Sequence, residues 1–220
     1  MHKEIKTVDE VDAVIECPKS KGYTNRALVV AGLAEGKSVL SNVLVSEDTM
    51  LMIEGLKTLG IEIEAESNAA VVHGVNGKLK SASGRIFVGN SGTTARFLTA
   101  VAALDGKVVI DGNERMRERP MQDLADALNS LGASVSTTDG SLPLEVNGGG
   151  LNGGSVAMSG KSSSQFLSAL LMILPYVERN VQIRIAEKLT SKPFVDMTVQ
   201  VMKDFGAEVI NDDYAEFEVV

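Results

Sequence analysis

Pro120-Met121-Gln122-Asp123-Leu124-Ala125-Asp126-Ala127-Leu128-Asn129-Ser130-Leu131-Gly132-Ala133-Ser134-Val135 decides the fold. Met121, Leu124, Leu128 and Leu131 fall on one helical face. Gly132 follows where a helix C-cap needs positive φ, and an alternating strand pattern begins behind it. The same order recurs upstream over residues 49–63 and downstream over residues 193–209, with Gly60 and Gly206 in the place of Gly132. These glycines lie 72 and 74 residues apart.

Outward from each copy the pattern extends. A second helix precedes it, over residues 25–35, 93–104 and 163–174, and each is followed by a short extended run, 38–40, 107–110 and 181–185. Strands lead in at 85–88 and 154–158, and two more follow the repeat glycine, as at 133–137 and 142–146. The chain therefore reads as α/β (α+β), with three βαβαββ units at about 19–83, 84–152 and 153–220. The helices that come first are apolar nearly all round, as in Ala27-Leu28-Val29-Val30-Ala31-Gly32-Leu33-Ala34, and a helix without a polar face is a buried helix. Pseudo-threefold symmetry follows, with three parallel helices buried together and sheets outside. An ordinary α/β sandwich is the alternative.

The chain has 220 residues, 44% hydrophobic but only 4% aromatic and without Trp, so its core is aliphatic. The 21 Lys and Arg against 29 Asp and Glu give a net charge of −8, which argues against a duplex nucleic-acid partner. It does not argue against small anions, since a local cationic site forms readily in an acidic protein. Cys17 is the single cysteine, so no internal disulfide forms and a cytoplasmic setting is expected. Residues 1–18 contain no apolar signal region. The longest apolar run, 166–177, is broken by Ser168 and Pro175 and falls short of the roughly 20 residues of a membrane span.

Each buried helix opens on a polar segment rich in donors: Ser20-Lys21-Gly22-Tyr23-Thr24-Asn25-Arg26, Gly89-Asn90-Ser91-Gly92-Thr93-Thr94-Ala95-Arg96, and Ser159-Gly160-Lys161-Ser162-Ser163-Ser164-Gln165. One such segment is an ordinary N-cap. Three at equivalent places converge their free N–H groups and positive dipole ends on one spot, where Lys21, Arg26, Arg96 and Lys161 add charge. The expected ligand carries several negative charges. Two basic loops ending in Pro, Glu114-Arg115-Met116-Arg117-Glu118-Arg119-Pro120 and Lys188-Leu189-Thr190-Ser191-Lys192-Pro193, belong to the same end. Other candidates are weaker. Cys17 has no His near it in sequence, His73 lies in a strand-like run, His2 is terminal, and Asp212-Asp213 reads as a turn.

In these motifs the chain resembles the enolpyruvyl transferases, most closely the EPSP synthases of the shikimate pathway. The motifs are Ser20-Lys21 with Asn25-Arg26-Ala27-Leu28, Gly89-Asn90-Ser91-Gly92-Thr93, Arg115 through Pro120, Ser163-Ser164-Gln165-Phe166 and Ser191-Lys192-Pro193, and they run in order over essentially the whole chain. The resemblance implies transfer of the enolpyruvyl group of phosphoenolpyruvate to the 5-hydroxyl of shikimate 3-phosphate, with release of phosphate and without metal or organic cofactor. It also implies site roles. Lys21 contacts both substrates as the catalytic residue, and Arg26 holds the shikimate side. Ser163, Ser164 and Ser191 bind the 3-phosphate and its surroundings, and Gln165 touches both ligands. Asn90 lies in the substrate-binding segment, while Gly92 and Arg119 flank the phosphate of phosphoenolpyruvate. Gly at position 92 is the form associated with sensitivity to glyphosate.

Three positions depart from the family pattern. Gly22 replaces a Ser that helps bind shikimate 3-phosphate, Lys19 a Gly, and Phe194 a Tyr. Family members are about twice as long, with two similar lobes and the site in the cleft between them. By that resemblance residues 19–220 are the N-terminal lobe, and residues 1–18 are a strand segment belonging to the other lobe, expected here to be disordered or paired with another chain. The complementary C-terminal lobe, which carries the acid/base carboxylates, is the expected partner, with no nucleic acid or membrane. The lobe alone is expected to bind shikimate 3-phosphate weakly, without turnover. One alternative is a non-catalytic anion-binding or regulatory module on the same fold. Another, an RNA-terminal phosphate cyclase, calls for a nucleotidylated His, and only His2 and His73 exist.

Overall fold

Gly60, Gly132 and Gly206 stand just past helix ends with φ of 87°, 106° and 91°. The computed structural model describes residues 3–4, 6–66, 68–79, 83–161 and 163–219; His2 and Ser162 therefore lie outside the described residues. At all three ends the backbone bonding is the same. Ile61, Ala133 and Ala207 donate to the carbonyls of Leu56, Leu128 and Met202, and each glycine donates to the carbonyl three residues back. This Schellman arrangement satisfies carbonyls that the helix leaves open.

The first unit runs α1 (Lys21–Leu33), β1 (Glu35–Ser41), α2 (Glu47–Thr58), β2 (Glu62–Ala65) and β3 (Ala69–Val75). The second runs β4 (Ser83–Phe87), α3 (Gly92–Asp105), β5 (Lys107–Asp111), a short α4 (Glu114–Arg117), α5 (Gln122–Ser130), β6 (Ser134–Thr138) and β7 (Ser141–Asn147). The third runs β8 (Gly154–Met158), α6 (Ser164–Ile173) with a 3-10 turn (Leu174–Tyr176), β9 (Val181–Ile185), α7 (Lys192–Asp204), β10 (Val209–Asp212) and β11 (Glu216–Val219). Each unit keeps its own sheet, in the orders β1-β3-β2, β4-β5-β7-β6 and β8-β9-β11-β10. The three sheets do not join into a closed barrel among the described residues.

In the second and third sheets the leading strand lies parallel to the strand after the buried helix, β4 on β5 and β8 on β9. Among the described residues the first sheet has three strands and no such leading strand. The described residues before Pro18 form no strand, and Val11, Val14 and Ile15 are 75%, 101% and 82% exposed.

The core sits where α1, α3 and α6 meet. In α3 the residues Ala95, Phe97, Leu98 and Ala100 through Ala103 are fully buried, and in α6 so are Ala169, Leu170, Leu171 and Ile173. At about 1.5–3 kcal/mol for each large side chain, this apolar seam is the main source of stability. Close approach depends on glycine. A Cβ at Gly74 would meet the carbonyl oxygen of Ala34 at 2.2 Å, and one at Gly148 that of Ala102 at 2.2 Å, so the strand ends lie directly on the C-termini of α1 and α3.

Gly206 has open space around its missing Cβ, whereas a Cβ at Gly132 would sit 2.6 Å from the Gly150 oxygen. Gly206→Ala therefore carries only the cost of a left-handed residue with a side chain, about 1 kcal/mol, and Gly132→Ala costs more. Urea unfolding of both variants checks this order.

Candidate anion-binding site

The first turns of α1, α3 and α6 open onto one cavity of about 400 Å³, lined by Lys21, Gly22, Arg26, Thr93, Ser163, Ser164, Gln165, Ser191 and Phe194. Each helix has a serine N-cap. Ser20, Ser91 and Ser163 accept from the backbone N–H groups of Tyr23, Thr94 and Gln165. That leaves other first-turn donors and the dipole ends facing the cavity.

Arg26 is 2% exposed and is held entirely by neutral acceptors. Its Nε donates to Thr198 Oγ1 at 2.6 Å, Nη1 to the Gly22 carbonyl at 3.0 Å, and Nη2 to Ser168 Oγ at 3.2 Å and the Phe194 carbonyl at 3.1 Å. The guanidinium also lies 5.3 Å from the Phe97 ring centroid. Arg26 thus ties α1 to α6 and α7 while its charge stays unmatched. Arg96, 7% exposed, donates to Gln165 Oε1 at 2.6 Å and lies 5.1 Å from the Phe166 ring centroid, and its Nε has no partner. Burial lowers both guanidinium pKa values to about 10, with Arg119 adding to the effect at Arg96. Both remain cations at neutral pH. None of the described carboxylates pairs with either one. A buried charge left without a counter-ion is costly, and a bound anion removes that cost.

The remaining residues sort cleanly. Lys21 is half exposed at the rim, its ammonium 2.5 Å from Asp48 in the first turn of α2. Ser191 holds a left-handed backbone, φ 57° and ψ 41°, at the start of α7, a strained conformation of the kind that collects at functional sites. Gly92 lies between two guanidinium groups, for a Cβ there would stand 2.6 Å from Arg96 Nη1 and 2.8 Å from Arg119 Nη1. Gln165 connects this pair to the main cavity through its bond with Arg96. Asn90 is exposed in the turn before α3 and does not line the cavity.

The basic loop divides by role. Arg117 turns away from the cavity to grip Asp111 with bonds of 2.9 and 2.7 Å, Met116 enters the core, and Arg115 pairs loosely with Glu118. Only Arg119 reaches the Gly92 corner. Sequence reading did not single out Asp48, Thr198 or Ser168, and counted Arg96 only as charge. The i+4 step from Gly92 to Arg96 was the available signal for Arg96, since it returns the side chain to the same end of the helix. A separate cavity of about 210 Å³ between α1, α2 and the first sheet is walled by Leu28, Val43, Met50 and Ile53, with no Lys or Arg in its lining, the wrong chemistry for an anion. His73 lies on β3, 3.9 Å from Glu64, and is not among the residues lining the main cavity.

The chain is similar to known proteins of one family. The family model for EPSP synthase (3-phosphoshikimate 1-carboxyvinyltransferase) matches residues 5–220. The 3-phosphoshikimate 1-carboxyvinyltransferase of Shewanella sp. (strain W3-18-1) is 44% identical over 222 residues, covering 98% of this chain and 52% of that protein. Its counterpart in Shewanella loihica is 44% identical over 218 residues, covering 96% and 51%. The structure of EPSP synthase from Acinetobacter baumannii superposes with a TM-score of 0.81 at 25% identity, over 92% of this chain and 45% of that one. The chain spans about half the length of the curated relatives it matches.

Two substitutions test the site's two kinds of arginine. Gly92→Ala displaces the Arg96–Arg119 pair, so binding of inorganic phosphate measured by calorimetry should weaken about ten-fold, the worth of a charge-assisted hydrogen bond, with an unchanged circular dichroism spectrum. Asp111, hydrogen-bonded chiefly by Arg117, has its carboxyl pKa lowered in the fold. Its contribution is therefore present above the unfolded value of about 3.9 and lost as pH falls through the folded value. Asp111→Asn should lower Tm by about 2–4 °C at neutral pH, and the gap should close in strongly acidic buffer.

Proposed function

The chain belongs to the EPSP synthase family, and from that premise we propose that it forms the N-terminal lobe of an enzyme transferring the enolpyruvyl group of phosphoenolpyruvate to shikimate 3-phosphate. The observation that carries this reading is the pair of buried guanidinium groups, Arg26 and Arg96, without carboxylate partners beside three helix N-termini. Both substrates bear phosphate and carboxylate groups, so such a site recognises them by electrostatics alone, and no metal or organic cofactor is needed.

The roles are those the family resemblance implies, and the placement of these residues supports them. Ser163, Ser164 and Ser191 offer hydroxyl and backbone donors to the 3-phosphate, and Arg26 charges that side of the cavity. Gly92 keeps the Arg96–Arg119 corner open for the phosphate of phosphoenolpyruvate. Gln165 spans both ligands. Lys21, steered by Asp48, stands at the rim where the two substrates meet and stabilises charge on the reacting centre. The acid/base carboxylates come from a complementary C-terminal lobe that closes over this face. The chain alone binds shikimate 3-phosphate weakly and does not turn over. Its setting is the cytoplasm, and no helix among the described residues is long and apolar enough to cross a membrane.

A second reading, a non-catalytic anion-binding module, is favoured only by Gly22 and Phe194, which line the cavity without hydroxyl groups. One experiment separates the two. The chain is mixed with a matching C-terminal lobe and both substrates, and phosphate release is followed. Release from the mixture alone is expected. Release by the chain alone, or none from a folded mixture that still binds shikimate 3-phosphate, contradicts the enzymatic reading.

A further inference from the structure

The β10–β11 hairpin closes on a two-residue turn, Asp213-Tyr214, with the Ala215 N–H on the Asp212 carbonyl at 2.8 Å. Both central residues are left-handed, with φ of 42° and 59°. A turn of this kind matches the twist of its strands, and its second position is ordinarily glycine. The repeat supplies a comparison within the chain. Counting 74 residues back, as from Gly206 to Gly132, Asp213-Tyr214 corresponds to Asp139-Gly140, whose φ values are 50° and 77°. The second unit follows the glycine rule, and the third sets a tyrosine in the glycine's place. Strain of this kind persists where the surrounding structure makes use of it.

The helix beside the turn shows what the tyrosine does. In the second unit the Gly140 carbonyl accepts from the N–H groups of Met121 and Gln122 and so caps the start of α5. Gln122 corresponds to Asp196, yet α7 begins a full turn earlier, at Lys192. That extra turn carries Ser191 at its head, and Ser191 and Phe194 line the anion cavity. Tyr214 grips the opposite side of the turn. Its hydroxyl donates to Asp196 Oδ1 at 2.7 Å, and its ring centroid lies 4.0 Å from Lys192 Nζ. Lys192 and Asp196 share one helical face, so the phenol spans the whole extra turn. The ring meets Phe217 of β11 edge-on at 6.3 Å, which ties the clamp to the sheet. Lys192 and Tyr214 border a second cavity of about 410 Å³ that shares no lining residue with the first. The ammonium of Lys192 is thus committed to the ring.

We propose that Tyr214 is a positioning residue for the anion site: it clamps the outer side of the first turn of α7 and so fixes left-handed Ser191 toward the phosphate of shikimate 3-phosphate. The inference rests on the reading of the cavity as that substrate's site. Removing the phenol leaves the hairpin in place and loosens the extra turn. It also frees the Lys192 ammonium, which by charge alone would draw an anion more tightly. The clamp requires the opposite.

The test compares the isotope-labelled full chain as wild type, Tyr214→Gly and Tyr214→Phe. The HN–Hα coupling and carbon shifts of Ser191 read its backbone without ligand, and calorimetry reads the affinity for shikimate 3-phosphate. Glycine is at ease at φ 59°, so Tyr214→Gly retains the fold. In that variant Ser191 is expected to leave the left-handed region and the affinity to fall about ten-fold. Tyr214→Phe keeps the ring beside Lys192 and should bind within about three-fold of the wild type. A Tyr214→Gly chain whose Ser191 is unmoved, or whose affinity equals or exceeds that of the wild type, overturns the proposal. A wild-type chain that ignores shikimate 3-phosphate, with Ser191 still moving in Tyr214→Gly, supports the clamp and refutes the substrate reading instead.

Discussion

The lobe is organised around positive charge buried without a counter-ion. Arg26 and Arg96 lie inside the helix cluster, bonded to carbonyls, hydroxyls and an amide and flanked by aromatic faces, with the like charge of Arg119 beside Arg96. Their neighbours are the N-termini of helices, which add to the positive potential instead of cancelling it. A core built purely for stability would place a carboxylate here or an apolar side chain. An anion bound beside them would supply the missing counter-charge.

The repeat makes this end possible. Three Schellman caps at Gly60, Gly132 and Gly206 turn each outer helix back into its sheet, and the glycines at 74 and 148 let strands rest on the ends of buried helices. With the sheets outside, the apolar helices pack side by side and their starts fall together. The site is thus a consequence of symmetry, because any one of these helix starts alone would be an ordinary serine cap. The three units contribute different side chains to it. Lys21 enters from the first unit, the Arg96–Arg119 corner from the second, and the Ser163–Gln165 run with strained Ser191 from the third.

Much of this was legible in sequence because it is periodic. The repeat glycines, the apolar helices and the polar starts are all local patterns, and Lys21, Gly22, Arg26, Ser163, Ser164, Gln165 and Ser191 do line one cavity. What escaped is what periodicity cannot carry. Thr198 and Ser168 hold Arg26 across 172 and 142 positions of chain. Arg117 and Arg119, two residues apart in one basic loop, divide between an internal ion pair and the Gly92 corner, a distinction set by the turn of α4 and not by composition.

The most direct measurement is a titration of the isotope-labelled chain with shikimate 3-phosphate, followed by backbone amide NMR. The account predicts that amides at all three helix starts, around Gly22, Thr93 and Gln165, shift together along one saturating curve. Shifts at only one start, or spread over surface lysines without saturation, would contradict it.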